Sequence, residues 1–187
     1  TGEFAIMGLL PDIGNDLSLS APQVGHLISA YALGVVLGAP LIAVLAAQLP
    51  RRLLLILLMA AFAAGNFASA LAPSYGSVML FRFLSGLPHG AYFGVAALVA
   101  ASMVEPARRG QAVGRVMLGL TVAVLIGNPV ATWLGQVSSW RMAFVFVGLI
   151  GLLTMALLRF TLPHVPASRL NSPMRELGAL KLEQVWL

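Results

Sequence analysis

Six apolar stretches separated by short polar breaks restrict this chain to a helical membrane protein. A spanning helix needs about 20 mostly apolar residues. The stretches cover roughly residues 1–11, 22–47, 53–72, 76–103, 112–137 and 141–159, and all but the first reach about that length. Hydrophobic residues make up 59% of the chain and charged residues 9%, against roughly 25% charged in soluble domains. A soluble fold of 187 residues has too little interior to hide so much apolar surface. In lipid each backbone amide must be satisfied within its own segment, so the expected class is all-α and polytopic. The formal net charge of +5 does not indicate nucleic acid. The basic residues form no stripe interleaved with aromatics and sit singly or in pairs between apolar runs.

The breaks carry local signals. Pro11, Asp12, Gly14, Asn15 and Asp16 read as a polar loop after a truncated first helix. Ser20 followed by Gln23 predicts a capping box opening the second helix. Gln48 to Arg52, Pro73–Ser74 and Glu105 to Gly110 are the next breaks, and Pro163 to about Glu183 reads as a linker. Within that linker Ser172–Pro173 has the form of an N-cap with proline at the first helical position. The expected organisation is a six-helix bundle over 1–160, then a linker and the start of a seventh helix over 161–187. With the first helix starting in the cytoplasm, Arg51, Arg52, Arg108, Arg109, Arg115, Arg159, Arg169, Arg175 and Lys181 all fall inside. Only Arg141 falls outside, together with Asp12 and Asp16, and Arg82 lies within a helix. This positive-inside bias predicts a cytoplasmic N-terminus and linker.

Val36-Leu37-Gly38-Ala39-Pro40 in the second stretch and Leu125-Ile126-Gly127-Asn128-Pro129 in the fifth share an apolar run ending Gly-x-Pro. Three helices separate them, as an inverted three-plus-three repeat requires, although chance similarity in glycine-rich sequence explains the match equally well. Gly38, Pro40, Pro88, Gly127 and Pro129 are the expected helix-bending positions.

Ionised groups at membrane depth need a reason, since each costs about 2.5–3.5 kcal/mol even on insertion scales. Glu3 and Arg82 are the two candidates. A carboxyl in a low-dielectric site can exchange protons near neutral pH, which suits Glu3 to proton coupling. Arg82 cannot lose its charge and must meet a carboxylate, carbonyls, water or an anion, with Glu3 one possible partner. His89 follows Arg82 by two turns on one helix face, and Gly86, Gly90 and Gly94 recur every four residues, a pattern that admits a neighbouring helix. His89, Tyr31, Tyr92, Asn66, Thr121 and Asn128 are candidates to line a solute cavity; cross-helix packing bonds are the alternative role for each. His26 reads as interfacial.

Ser85 and His89 stand four apart, but no third orienting group accompanies them. There is no zinc motif, phosphate-binding glycine loop or cysteine. An enzyme is therefore not expected, nor a cofactor or metal.

Several segments together resemble the N-terminal half of major facilitator superfamily transporters. They are most similar to bacterial drug:proton antiporters, among them sugar efflux and chloramphenicol-resistance permeases. Residues Thr1 to Ile13 resemble that group's first-helix signature, and Arg82 to Ala91 its fourth-helix motif, in which the arginine is implicated in proton coupling. Gly119 through Gly127-Asn128-Pro129 to Gly135 resembles the antiporter motif of the fifth helix, and Trp140 to Phe144 the start of the sixth. The loop around Arg51 and Arg52 matches the superfamily pattern only in its arginines, because its usual aspartate is absent. The resemblance implies one six-helix half of a twelve-helix fold in a bacterial inner membrane. It further implies a proton-coupled secondary transporter of the efflux type, whose partners are lipid, protons, the solute and a C-terminal six-helix half. The sparse charge within the helices points to a small neutral or lipophilic solute such as a sugar or drug. A proton-independent or uptake facilitator, or a membrane protein that transports nothing, are the alternatives.

Overall fold

The computed structural model describes residues 2–46 and 48–163, and every regular element among them is helical. The Ser172–Pro173 cap, the seventh-helix start and the basic residues of the linker lie outside the described residues. A 3-10 turn, Ala5–Leu9, leads into α1, Leu10–Asp16. Then follow α2 (Ala21–Leu45), α3 (Arg51–Leu71), α4 (Tyr75–Ser102), α5 (Arg109–Val122), α6 (Asn128–Val137) and α7 (Trp140–Thr161).

Among the described residues, five helices are long and apolar enough to cross a membrane: α2, α3, α4, the combined span Pro106–Val137, and α7. The first segment is shorter but packs with them. Successive spans alternate in direction, which gives the bundle two ends. One is arginine-poor and joins α1, α2, α3, α4, α6 and α7 through the breaks at 17–20, 72–74 and 138–139. The other carries Arg51, Arg52, Arg108, Arg109 and Arg159. The two Gly-x-Pro spans, α2 and α5–α6, run in opposite directions.

Two sequence expectations are corrected here. The break expected at 11–16 is helical to Asp16. Pro11 sits in the first turn of α1, where its missing N–H has no intrahelical partner to lose, so it need not end a helix. The fifth span is not one uniform helix. A π turn over Ala123–Gly127 divides α5 from α6 directly before Asn128–Pro129. Proline removes one i to i−4 hydrogen bond and clashes with the preceding turn, and a widened turn accommodates both effects. By contrast α2 runs through Pro40 and α4 through Pro88 without a break in helical structure.

The capping box forms as expected: the Ser20 backbone N–H donates to Gln23 Oε1 at 2.9 Å. Ser74 and Ser77 make the equivalent reciprocal cap on α4. Helix α4 is central, flanked by α2 and α3, with α7 on the far side of α3. Its crossing with α2 is backbone on backbone. A Cβ on Gly34 would run into the Phe83 carbonyl oxygen, and one on Gly38 into the Leu87 backbone. A Cβ on Gly86 would meet the Tyr31 carbonyl oxygen, and one on Gly90 that of Val35. Gly34-x-x-x-Gly38 therefore lies against Gly86-x-x-x-Gly90, the close helix approach that small residues at four-residue spacing allow. Gly94, expected to extend the stripe, has nothing within 4 Å of its Cβ position. The main apolar cluster, with Ile6, Leu9, Ile13, Leu27, Val78 and Phe144, fills the arginine-poor half. A smaller one, Ala46, Leu54, Leu58 and Ala91, fills the other.

Candidate functional site

Arg82 is the largest fully buried side chain, and its surroundings define the site. One guanidinium nitrogen, Nη1, donates to the Gly2 carbonyl at 3.0 Å. The Tyr31 ring of α2 lies under the guanidinium, with Cζ 4.1 Å from the ring centroid, and the Phe144 ring of α7 lies at 5.4 Å. Cation–π contacts in a desolvated setting contribute about 2 kcal/mol. Arg82 Nε and Nη2 have no hydrogen-bond partner. The possible ion pair with Glu3 does not form; an ion pair that does form joins Asp16 and Arg141 at the arginine-poor end. The Glu3 charge is nevertheless within electrostatic reach of both Arg82 and Tyr31.

Tyr31 joins the cation to the histidine. Its ring covers Arg82 and its hydroxyl is hydrogen-bonded to His89 Nδ1. His89 is held among aromatic rings, Phe93 at 5.3 Å, Tyr31 at 5.6 Å and Phe62 of α3 at 6.0 Å between centroids. Tyr31 and Gly34 share one face of α2, and Arg82, Gly86 and His89 share one face of α4. The glycine crossing thus fixes the height at which these side chains meet. Ser85 does not engage His89; its hydroxyl donates to the Arg82 carbonyl at 3.0 Å.

The remaining sequence candidates are scattered. Asn66 is buried in α3, donating to the Phe62 carbonyl at 2.8 Å, with its Oδ1 unpartnered. Asn128 sits just after the π turn and also has a buried, unpartnered Oδ1. Thr121 is exposed on α5. Tyr92 packs with the smaller cluster at the arginine-rich end. There the Arg52 guanidinium donates to the Arg159 carbonyl, a cation on the C-terminal end of α7. No sequence signal points to the Gly2 carbonyl, Phe62, Phe144 or Gly34 as members of the site. Of these only Gly34 left a trace, its four-residue spacing from Gly38.

The arginine-poor end is clasped separately. Asp16 accepts hydrogen bonds from Arg141 and, at 3.0 Å, from Trp140 Nε1. Arg141 also donates to the Ala72 carbonyl at 3.3 Å and stacks over Trp140. His26, expected as interfacial, meets the Tyr75 hydroxyl at 3.3 Å at this same end. The hydrogen bonds from Arg141 and Trp140 hold the Asp16 carboxyl below its ordinary range. A depressed carboxylate pKa contributes stability that is complete above the unfolded-state value and lost as pH falls through the folded-state value. Wild type and Asp16→Asn should therefore differ in thermal midpoint at neutral pH and converge in acid, below the ordinary carboxylate range. Midpoints measured in detergent across pH check this, and a gap that persists unchanged into acid would count against the clasp.

The family model described as Major Facilitator Superfamily matches residues 1–187. The chain is 45% identical over 185 residues to the inner membrane transport protein YdhP of Escherichia coli K12, covering 99% of this chain and 48% of that protein. It is 34% identical to a chloramphenicol resistance protein of Streptomyces lividans, covering 100% of this chain and 49% of that one. Among solved structures, the E. coli xylose transporter XylE in a partially occluded inward-open conformation superimposes with a TM-score of 0.65 at 17% identity, covering 88% of this chain and 46% of that one. The chain spans about half the length of the curated relatives it matches.

Proposed function

The chain belongs to the major facilitator superfamily, and from that premise we propose that it forms the N-terminal half of a proton-coupled efflux transporter in a bacterial inner membrane. Residues 1–160 are the six-helix bundle and 161–187 the cytoplasmic linker leading to a seventh helix. The N-terminus is cytoplasmic, and the arginine-rich end of the bundle faces the same side. The exposed apolar faces of α2 and of α5–α6, including Val36, Leu45, Leu125 and Trp133, meet lipid or the C-terminal six-helix half. The solute is small and neutral or lipophilic, the class to which chloramphenicol belongs, and it binds between the halves near mid-membrane.

The observation that carries this reading is the fully buried Arg82 with two unpartnered donor atoms, in electrostatic reach of a carboxylate it does not pair with. A structural arginine would have its donors satisfied, because an orphaned buried N–H costs about 1–3 kcal/mol. A proton arriving from the outer side neutralises Glu3 and removes a charge that both Arg82 and Tyr31 feel. That charge change is the signal by which proton binding biases one conformation of the bundle over another. Gly38–Pro40, Pro88 and Gly127–Pro129 are the positions at which the helices would flex during the exchange.

The test uses the complete transporter in inverted vesicles, with radiolabelled chloramphenicol and a neutral sugar as probes. Accumulation driven by an imposed pH gradient is expected for at least one of them. Glu3→Gln should reduce stimulation by the gradient about tenfold or more while exchange without a gradient persists. Transport indifferent to the gradient in wild type would indicate a facilitator, and an unaltered gradient response in Glu3→Gln would remove Glu3 from the mechanism.

A further inference from the structure

We propose that Tyr31 is a positioning residue that fixes His89 as a neutral imidazole with its proton on Nε2, so that the site presents one oriented hydrogen-bond donor to the solute. What meets that donor rests on the transport reading above; the imidazole's state does not.

Three observations combine. The Tyr31 side chain is 1% exposed, and its hydroxyl is hydrogen-bonded to His89 Nδ1. The Arg82 guanidinium covers its ring at 4.1 Å. The bond is held in place because α2 and α4 cross on bare glycine backbone on either side of it. A cation over the face of a phenol draws electron density from the ring. The hydroxyl becomes a stronger donor and a weaker acceptor, so it donates to Nδ1 and leaves no room for a proton there. The tautomer of a histidine is set by the bond its other nitrogen makes, which places the remaining proton on Nε2.

Nε2 has no hydrogen-bond partner among the described residues and is absent from the sealed, unpartnered atoms of the interior, and the ring is only half-buried. In this proposal it is the donor that a solute oxygen meets. The charged groups acting on the imidazole are the chain's amino-terminal ammonium and Arg82 from its own helix, with Tyr31 from α2 beside it and Glu3 acting on Arg82 and Tyr31 from the N-terminal segment. Helix α3 presents Phe62 and α7 presents Phe144 near Arg82, neither of which titrates. A donor fixed in this way selects a neutral oxygen, such as a hydroxyl, ether or carbonyl, and gives no preference to a cationic amine.

The experiment is nitrogen-15 NMR of the complete transporter in lipid nanodiscs with labelled histidine, His89 being assigned by its loss in His89→Gln. At neutral pH the wild type should show a protonated Nε2 and a bare Nδ1. Tyr31→Phe keeps the ring under Arg82 and removes only the hydroxyl, and it should shift the tautomer ratio toward protonated Nδ1 about fivefold, the loss of one hydrogen bond. A residue that merely filled space would leave that ratio unmoved. A wild-type His89 protonated on Nδ1, or on both nitrogens, would overturn the proposal whether or not the variant folds, as would an unchanged ratio in Tyr31→Phe. No solute or gradient enters the measurement, so a failed transport assay counts against the transport reading alone.

Discussion

On the proposed transport function, replacing Arg82 with methionine in the complete transporter should reduce gradient-driven accumulation about a hundredfold or more, while leaving the resistance of the bundle to unfolding intact or improved. The two halves of that expectation have one cause. Arg82 is 0% exposed, and its Nε and Nη2 atoms find no acceptor. Removing a buried charge along with its incompletely satisfied donors is often neutral or stabilising when an apolar side chain of similar length fills the space. What the methionine loses is the bond to the Gly2 carbonyl and the contact with the Tyr31 ring. Those interactions tie the N-terminal segment carrying Glu3 to α2 and α4. Lysine should fail functionally as well, because its compact ammonium cannot span a carbonyl and an aromatic face as a planar guanidinium does. Gradient-driven accumulation in vesicles and thermal midpoints in detergent read the two quantities separately. A midpoint loss equivalent to about 3–5 kcal/mol, the signature of a broken buried pair, would make Arg82 a structural residue.

The largest effect on folding is expected from Gly86→Val. A Cβ at Gly86 falls on the Tyr31 carbonyl oxygen and 3.1 Å from the Val35 nitrogen, and both are backbone atoms that no rotamer change can move. Overpacking a core against flexible side chains costs about 1–3 kcal/mol. Here the whole of α2 must shift, and the cost should exceed that range. It should also separate Tyr31 from both Arg82 and His89, so function goes with the fold. Gly34→Val should behave alike, since its Cβ position falls on the Phe83 carbonyl oxygen. Gly94→Ala is the control, with nothing within 4 Å and a small gain in helix propensity. Yield of folded protein and thermal midpoint across the three variants are the readout. Equal behaviour of Gly86→Val and Gly94→Ala would show that α2 and α4 do not cross where the glycines place them.

The positions of the spans were legible in the chain because lipid leaves the backbone so little choice. Apolar runs of spanning length must be helices, and their observed ends at Leu45, Leu71, Ser102 and Thr161 lie within two residues of those read from the sequence. Two prolines behave differently from the sequence expectation. Pro11, expected to end a helix, starts one, and the fifth span, expected as one helix bending at Gly127 and Pro129, contains a π turn directly before Asn128–Pro129. In both cases the local residue permits two conformations, and packing selects one. Gly8 against Thr132, and Leu9 against Gly135, bring the first segment and α6 into contact, which no local signal encodes.

The candidate site divides in the same way. Arg82, Tyr31 and His89 could be singled out beforehand, because a charge or a polar ring in an apolar run is conspicuous. That Tyr31 faces Arg82 with its ring and His89 with its hydroxyl could not, because those residues are 51 and 58 positions apart in sequence for reasons unrelated to their chemistry. By itself the sequence determined that this protein lives in a bilayer as six apolar helical segments with few buried charges, since transfer energetics act on composition and run length alone. Only the tertiary structure decided which of those polar groups share a neighbourhood, since that depends on where two helices, stripped to glycine at Gly34, Gly38, Gly86 and Gly90, can touch.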